Sequence, residues 1–206
     1  LSKLLGGTLD GEEIEAELND GKLLLRPSIN HLSRVYLEPT NTCNLTCRTC
    51  MRNVWDETAG FMSVEIFQKV LSGIKAFKPV PSIFFGGFGE PLAHPEIIPM
   101  IAQAKELGGE VELITNGTAL TREISTQLVN AGLDRIWFSL DGARPESYMD
   151  IRLRASLPYV IEQINILRSI CARLDTSRPE IGIAFVAMQR NIKELPDLLR
   201  LAVELG

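Results

Sequence analysis

The stretch "RVYLEPTNTCNLTCRTCMRN", residues 34–53, runs from a short apolar segment into a polar loop. That loop holds three of the chain's four cysteines, Cys43, Cys47 and Cys50. The opening "RVYLEP" (34–39) is β-branched and aromatic and reads as a strand. The cysteines follow it at the spacing Cys-x3-Cys-x2-Cys. Three thiols within eight residues of a polar loop are a poor way to fill a core. They read instead as ligands. A structural zinc ion needs a fourth ligand. The remaining candidates are Cys171, mid-helix and far along the chain, and His31 and His94. A four-iron cluster held by three thiolates would keep one iron open. Asn41, Thr42, Asn44, Thr46 and Thr49 can offer hydrogen bonds to its sulfurs, and Arg48 and Arg52 can offset its charge.

Downstream of the loop, strand-like and helix-like segments alternate. "SVEIFQKVLSGIKAF" (63–77) has apolar residues at helical spacing, with Ser63 as N-cap. "PSIFFGG" (81–87), "EVELITNG" (110–117), "DRIWFSLDG" (134–142) and "EIGIAFVAM" (180–188) read as strands. Between and after them, 94–109, 121–132, 156–174 and 191–206 read as helices, with Pro95 in a first turn. That gives about five strand–helix units, parallel strands with outer helices, and a sheet covered on both sides. Five units are too few for a closed eightfold barrel. An open doubly wound sheet and a partial barrel both fit the alternation. Either way, the loops after the strands share one rim, where ligands bind. Those loops are the cysteine segment, "GGFGEP", "TNG", "SLDG" and "MQRN". Residues 1–33 form a segment preceding the series, in which "DGEEIEAELNDGK" reads as a short acidic helix closed by Asn19-Asp20-Gly21.

Composition bounds the rest. With 206 residues, 45% hydrophobic and 23% charged, the chain can bury a core without covalent staples. A net charge of −5 argues against a general binder of nucleic acid or membrane surfaces. No apolar run approaches the roughly 20 residues of a membrane span. Clustered cysteines and the lack of an export leader point to a reducing cytoplasm.

The motif CNLTCRTC after the first strand of such a series resembles that of the radical S-adenosylmethionine (SAM) enzymes. The resemblance covers roughly residues 34–206 and selects the partial (βα)6-type barrel over the open sheet. It implies a 4Fe-4S cluster on Cys43, Cys47 and Cys50, with SAM chelating the open iron. Reductive cleavage of SAM then gives a 5′-deoxyadenosyl radical that abstracts hydrogen from a substrate. "FFGGFGEPLAHP" (84–95) resembles the family's glycine-rich SAM-binding stretch and places Gly89 and Glu90 at its amino group. "FSLDG" (138–142) places Ser139 on SAM, and Arg152 resembles an arginine that reaches its carboxylate. Asn116 and Asn191 are further rim residues in reach of SAM or substrate. Two departures stand out. Thr49 occupies a position that is commonly aromatic and packs near the adenine, and Phe88 one that is commonly glycine.

"SLDGARPESYMDIR" and "NIKELPDLLRLAVELG" resemble the branch whose members carry a cluster-binding SPASM or twitch extension and modify peptides, proteins or cofactors. The resemblance implies an electron donor such as ferredoxin or flavodoxin, and a peptide, protein or cofactor precursor as substrate. On this reading the chain is truncated before the sixth strand, leaving the fifth with an open edge. Two alternatives stand beside it: a non-catalytic zinc- or metal-binding α/β module, in which His94 joins the cysteines, and a degenerate barrel that binds a peptide. Outside either, His94 reads as helix-start structure and Cys171 as an inert helix residue.

Overall fold

A computed structural model describes residues 14–19, 21–27 and 32–205. Its centre is a five-stranded parallel sheet in the order β3–β4–β5–β6–β7, comprising β3 (Arg34–Leu37), β4 (Ser82–Phe85), β5 (Val111–Thr115), β6 (Arg135–Ser139) and β7 (Glu180–Ala184). Sequential strands are neighbours throughout, so each returning helix crosses the same face. Those helices are α1 (Val64–Ile74), α2 (Ile97–Lys105), α3 (Arg122–Asn130), the short α4 (Pro145–Ile151), α5 (Leu157–Arg173) and α6 (Leu195–Leu205). The result is a partial barrel.

Period-2 alternation decides which side chains meet the helices. Ile83, Phe85, Val111, Leu113, Ile136 and Phe138 are buried in one core with Phe67 and Leu71 of α1, Met100 and Ile101 of α2, Leu128 of α3 and Ile164 and Leu167 of α5. The caps are where local chemistry puts them. The Ser63 hydroxyl accepts from the Ile66 amide at the start of α1, and Thr121 accepts from Ile124 at the start of α3.

The opposite face departs from the sequence expectation. It is not an apolar covered surface. Tyr36 is 69% exposed, and the amino ends of the strands carry Arg34, Glu112, Arg135 and Glu180. Glu112 is fully buried and accepts hydrogen bonds from Arg34 Nη2, Arg135 Nη1 and Trp137 Nε1. This face lines the inside of the barrel, where Arg34, Glu112 and Arg135 lie beside Tyr36, Phe84 and Trp137.

Three further expectations are corrected. Of the acidic helix expected over 10–22, residues 10–13 and 20 lie outside the described residues, and the rest is not a helix: β1 (Ile14–Asn19) pairs antiparallel with β2 (Lys22–Pro27). The alternation Ile14, Ala16, Leu18 has a period of two, and Gly21, at φ +74, supplies the hairpin turn. The second helix opens at Ile97, because 91–93 form a separate 3-10 turn and Pro95 lies between the two. Finally, α4 adds a helix that the strand–helix count lacks, with Pro145 in its first turn.

Candidate functional site

The carboxyl ends of β3 to β6 surround one cavity. Cys43, Cys47, Cys50, Gly89, Glu90, Asn116, Ser139 and Arg152 all line it. Residues from four separate loops and over a hundred positions of sequence therefore meet in one place. Asn191 does not line it. Its side chain is buried, donating to the Asp141 and Val186 carbonyls and accepting from Met188 N, and so it locks the turn after β7 to the turn after β6.

The cysteine loop is anchored between its ligands. Leu45, between Cys43 and Cys47, is buried in the core. Arg48 donates its backbone N–H to Ile151 O and its Nε to Asp150 O, which docks the loop on the carboxyl end of α4. Asn53 Nδ2 reaches Cys47 O, and Cys50 starts the 3-10 turn Met51–Val54. These uses differ from the expected ones. Arg48 serves α4, and Asn41 holds Thr58 and Gly60. Of the two arginines, Arg52 lines the cavity.

The glycine-rich loop is pressed against the end of β3. A Cβ on Gly89 would sit 1.8 Å from Thr40 O, so the backbone there must be glycine. Glu38, which sequence reasoning passed over, accepts from Phe88 N at 2.6 Å and Gly89 N at 3.2 Å. Glu90 closes the loop onto β5. Its Oε1 accepts from Thr115 Oγ1 at 2.7 Å and Leu92 N at 3.1 Å, and its Oε2 accepts from Asn116 N at 2.8 Å. Burial pushes the Glu90 carboxyl up, against these hydrogen bonds that hold it down. One acceptor position remains on Oε2.

Arg152, at the end of α4, meets the buried Asp141 carboxylate at 2.8 Å. Its buried Nε has no partner among the described residues. Asp141 also accepts from Val186 N, so one carboxylate holds both the arginine and the β7 loop.

The model of the Radical SAM superfamily matches residues 37–179 of this sequence. The chain belongs to the radical SAM superfamily. Among curated relatives, the tungsten-containing aldehyde ferredoxin oxidoreductase cofactor-modifying protein of Pyrococcus furiosus is 35% identical over 173 residues, 84% of this chain and 48% of that protein. The probable GTP 3′,8-cyclase of Methanocaldococcus jannaschii is 32% identical over 169 residues, 81% of this chain and 54% of that one. The chain thus spans about half the length of the curated relatives it matches. The fold is shared with Streptococcus suis SuiB bound to S-adenosylmethionine, at a TM-score of 0.69 and 14% identity over 85% of this chain and 39% of that one.

A radical SAM site needs thiolates for iron and polar groups for an amino acid, and the cavity fits both. Zn–S bonds of about 2.3 Å would draw ligand sulfurs to about 3.8 Å of one another. Among the described residues, no three His, Cys, Asp or Glu side chains converge on a point that a lone ion would occupy. His94 is also committed, with Nε2 at Met62 O and Nδ1 accepting from Glu96 N. Burial pushes the Cys43 and Cys47 thiols up, so a cationic centre is what would make them thiolates. The unpartnered Arg152 Nε fits a carboxylate, and the free Glu90 position fits an ammonium. Phe88 supplies an aromatic ring to the cavity where Thr49 does not, and Trp55 braces it edge-on at 4.5 Å.

Proposed function

We propose that the chain is the SAM-cleaving core of a radical SAM enzyme. The observation that carries this reading is the convergence of Cys43, Cys47 and Cys50 with Gly89, Glu90, Ser139 and Arg152 on one cavity. The three cysteines hold a 4Fe-4S cluster. Glu90 receives the ammonium of SAM, Arg152 its carboxylate, and Ser139 contributes a hydroxyl from the end of β6. Phe88, Ile114 and Val186 give the adenosine an apolar wall. When bound, the cluster would supply the electron for reductive cleavage of the sulfonium S–C5′ bond of SAM to methionine and a 5′-deoxyadenosyl radical. The protein's own task is to fix SAM against the open iron and to keep that radical from water.

An electron donor such as ferredoxin or flavodoxin would supply the electron. The substrate is a cofactor precursor, by similarity to the cofactor-modifying protein of Pyrococcus furiosus, or a peptide or protein. It is received in the barrel mouth, opposite SAM. No described helix is long and apolar enough to cross a membrane, and an oxygen-sensitive cluster fits the reducing cytoplasm.

Product analysis of the anaerobically reconstituted, dithionite-reduced protein tests the reaction. Incubation with SAM is expected to yield 5′-deoxyadenosine and methionine in equal amounts. S-adenosylhomocysteine as the sole product would identify a polar methyltransferase instead.

A further inference from the structure

The three cysteines are not equivalent. Cys43 Sγ receives two N–H groups, Leu45 N at 3.4 Å and Asn116 Nδ2 at 3.8 Å. None of the described residues donates to the sulfur of Cys47 or Cys50. The Asn116 amide cannot be turned to a different use. Its carbonyl oxygen is held by Thr118 N at 2.8 Å and Thr118 Oγ1 at 2.6 Å, which fixes the NH2 on the other side. One of its hydrogens goes to Asn44 Oδ1 at 3.0 Å, and the other faces Cys43. By sequence, Asn116 is a rim residue in reach of SAM or substrate. Its side chain is spent on the cysteine loop, while its backbone N–H holds Glu90.

We infer that Asn116 is a positioning residue that sets the reduction potential of the cluster through a hydrogen bond to Cys43, and that links this ligand to the carboxylate bordering the SAM site. The inference rests on the radical SAM reading of the cysteines. A donor to a ligating sulfur stabilises the reduced, more negatively charged cluster and raises its potential. With Leu45 and Asn116 both on one sulfur, Cys43 is the weakest electron donor of the three ligands. Asn116 also joins the two loops, so a load on Glu90 is passed one residue along to Cys43.

The test is a redox titration of the reconstituted cluster without SAM, followed by EPR of the reduced state. Asn116→Leu removes the donor at similar volume, and Asn116→Asp removes it while keeping the oxygen that Thr118 grips. Both are expected to hold iron and to titrate at a more negative potential than the wild type. Unchanged potentials in iron-replete variants would overturn the inference. A second measurement decides the case if the variants lose iron. Pulsed EPR of the wild-type protein grown on amide-15N asparagine is expected to show 15N coupling to the reduced cluster. The neighbouring amides of Asn41, Asn44 and Asn53 point at Thr58, Thr118 and the Cys47 carbonyl, not at sulfur. Absence of that coupling would overturn the inference. A wild type with no cluster signal at all would instead sink the reading of the cysteines.

Discussion

The two ends of the same sheet treat buried polar groups in opposite ways. At the amino ends, Glu112 is fully buried but accepts from two arginines and an indole N–H. Arg34 also lies over the Tyr36 and Phe84 rings, and Arg135 lies over Trp137 and reaches Glu180. The buried Glu112 carboxylate thus faces two cations and a third donor. At the carboxyl ends, Arg152 Nε is buried without a partner among the described residues. Burial and polarity alone would rate both ends as sites. What separates them is satisfaction: a closed network stabilises the sheet, and an open one waits for a ligand.

Substitutions at each end sharpen that contrast. The largest effect is expected for Gly89→Ala. Its Cβ would meet Thr40 O at 1.8 Å, a backbone atom that can yield only by moving the cysteine loop. SAM binding, read from the EPR change of the reduced cluster, should be lost. Gly73→Ala in α1 meets nothing within 4 Å and should raise stability by about 0.5–1 kcal/mol. An equal loss of binding in both variants would break the argument.

At the floor, Glu112→Ala takes the carboxylate partner from Arg34, whose side chain is 35% exposed, and the acceptor from the Trp137 indole, while Arg135 keeps Glu180. Denaturant unfolding should show a loss of about 2–3 kcal/mol, below the range for fully buried pairs because the arginines can reach water. SAM affinity of the folded fraction should stay within a factor of about two of the wild type. If affinity falls with stability, the two ends are coupled and the comparison fails.

Back at the rim, Glu38→Ala frees the Phe88 and Gly89 amides that hold the loop shape. Half-saturation by SAM should need about tenfold more SAM, the equivalent of about 1.4 kcal/mol. Glu38→Gln keeps an acceptor oxygen and should recover most of the loss. A glutamine variant as weak as the alanine one would mean that charge, not the clamp, matters.

The smallest effect is expected for Tyr148, buried under the cysteine loop with an unpartnered hydroxyl among the described residues. Tyr148→Phe should change stability at pH 7 by at most about 1 kcal/mol, since no hydrogen bond is lost. Desolvation pushes the Tyr148 pKa up to about 12. The folded value lies above the unfolded one, so the wild type's contribution is complete below about pH 10 and is lost as pH rises through about 12. The phenylalanine variant should lose less stability than the wild type across that window. Parallel alkaline unfolding curves would contradict this placement.

Much of the rim was legible because its signals are local. Three cysteines in eight residues and glycines after a strand need no knowledge of neighbours. Glu38 and Asn116 show where that stops. Glu38 matters because β3 pairs with β4 and so faces the loop after it, and Asn116 because β5 brings it to Cys43. Neither contact exists at the level of sequence spacing. The β1–β2 hairpin is hidden for a different reason: its acidic residues point to a helix although its apolar ones alternate with a period of two. Helix α4 was passed over because seven residues give too short a window for a helical period.

The central claim is that three cysteines, and not the fourth, hold a four-iron cluster. Iron and acid-labile sulfide assayed in anaerobically reconstituted protein test it directly, in the wild type and in Cys43→Ala, Cys47→Ala, Cys50→Ala and Cys171→Ala. About four irons and four sulfides per chain are predicted for the wild type and Cys171→Ala, with loss of both in each of the other three. Zinc without sulfide in the wild type, or loss of the cluster in Cys171→Ala, would contradict it.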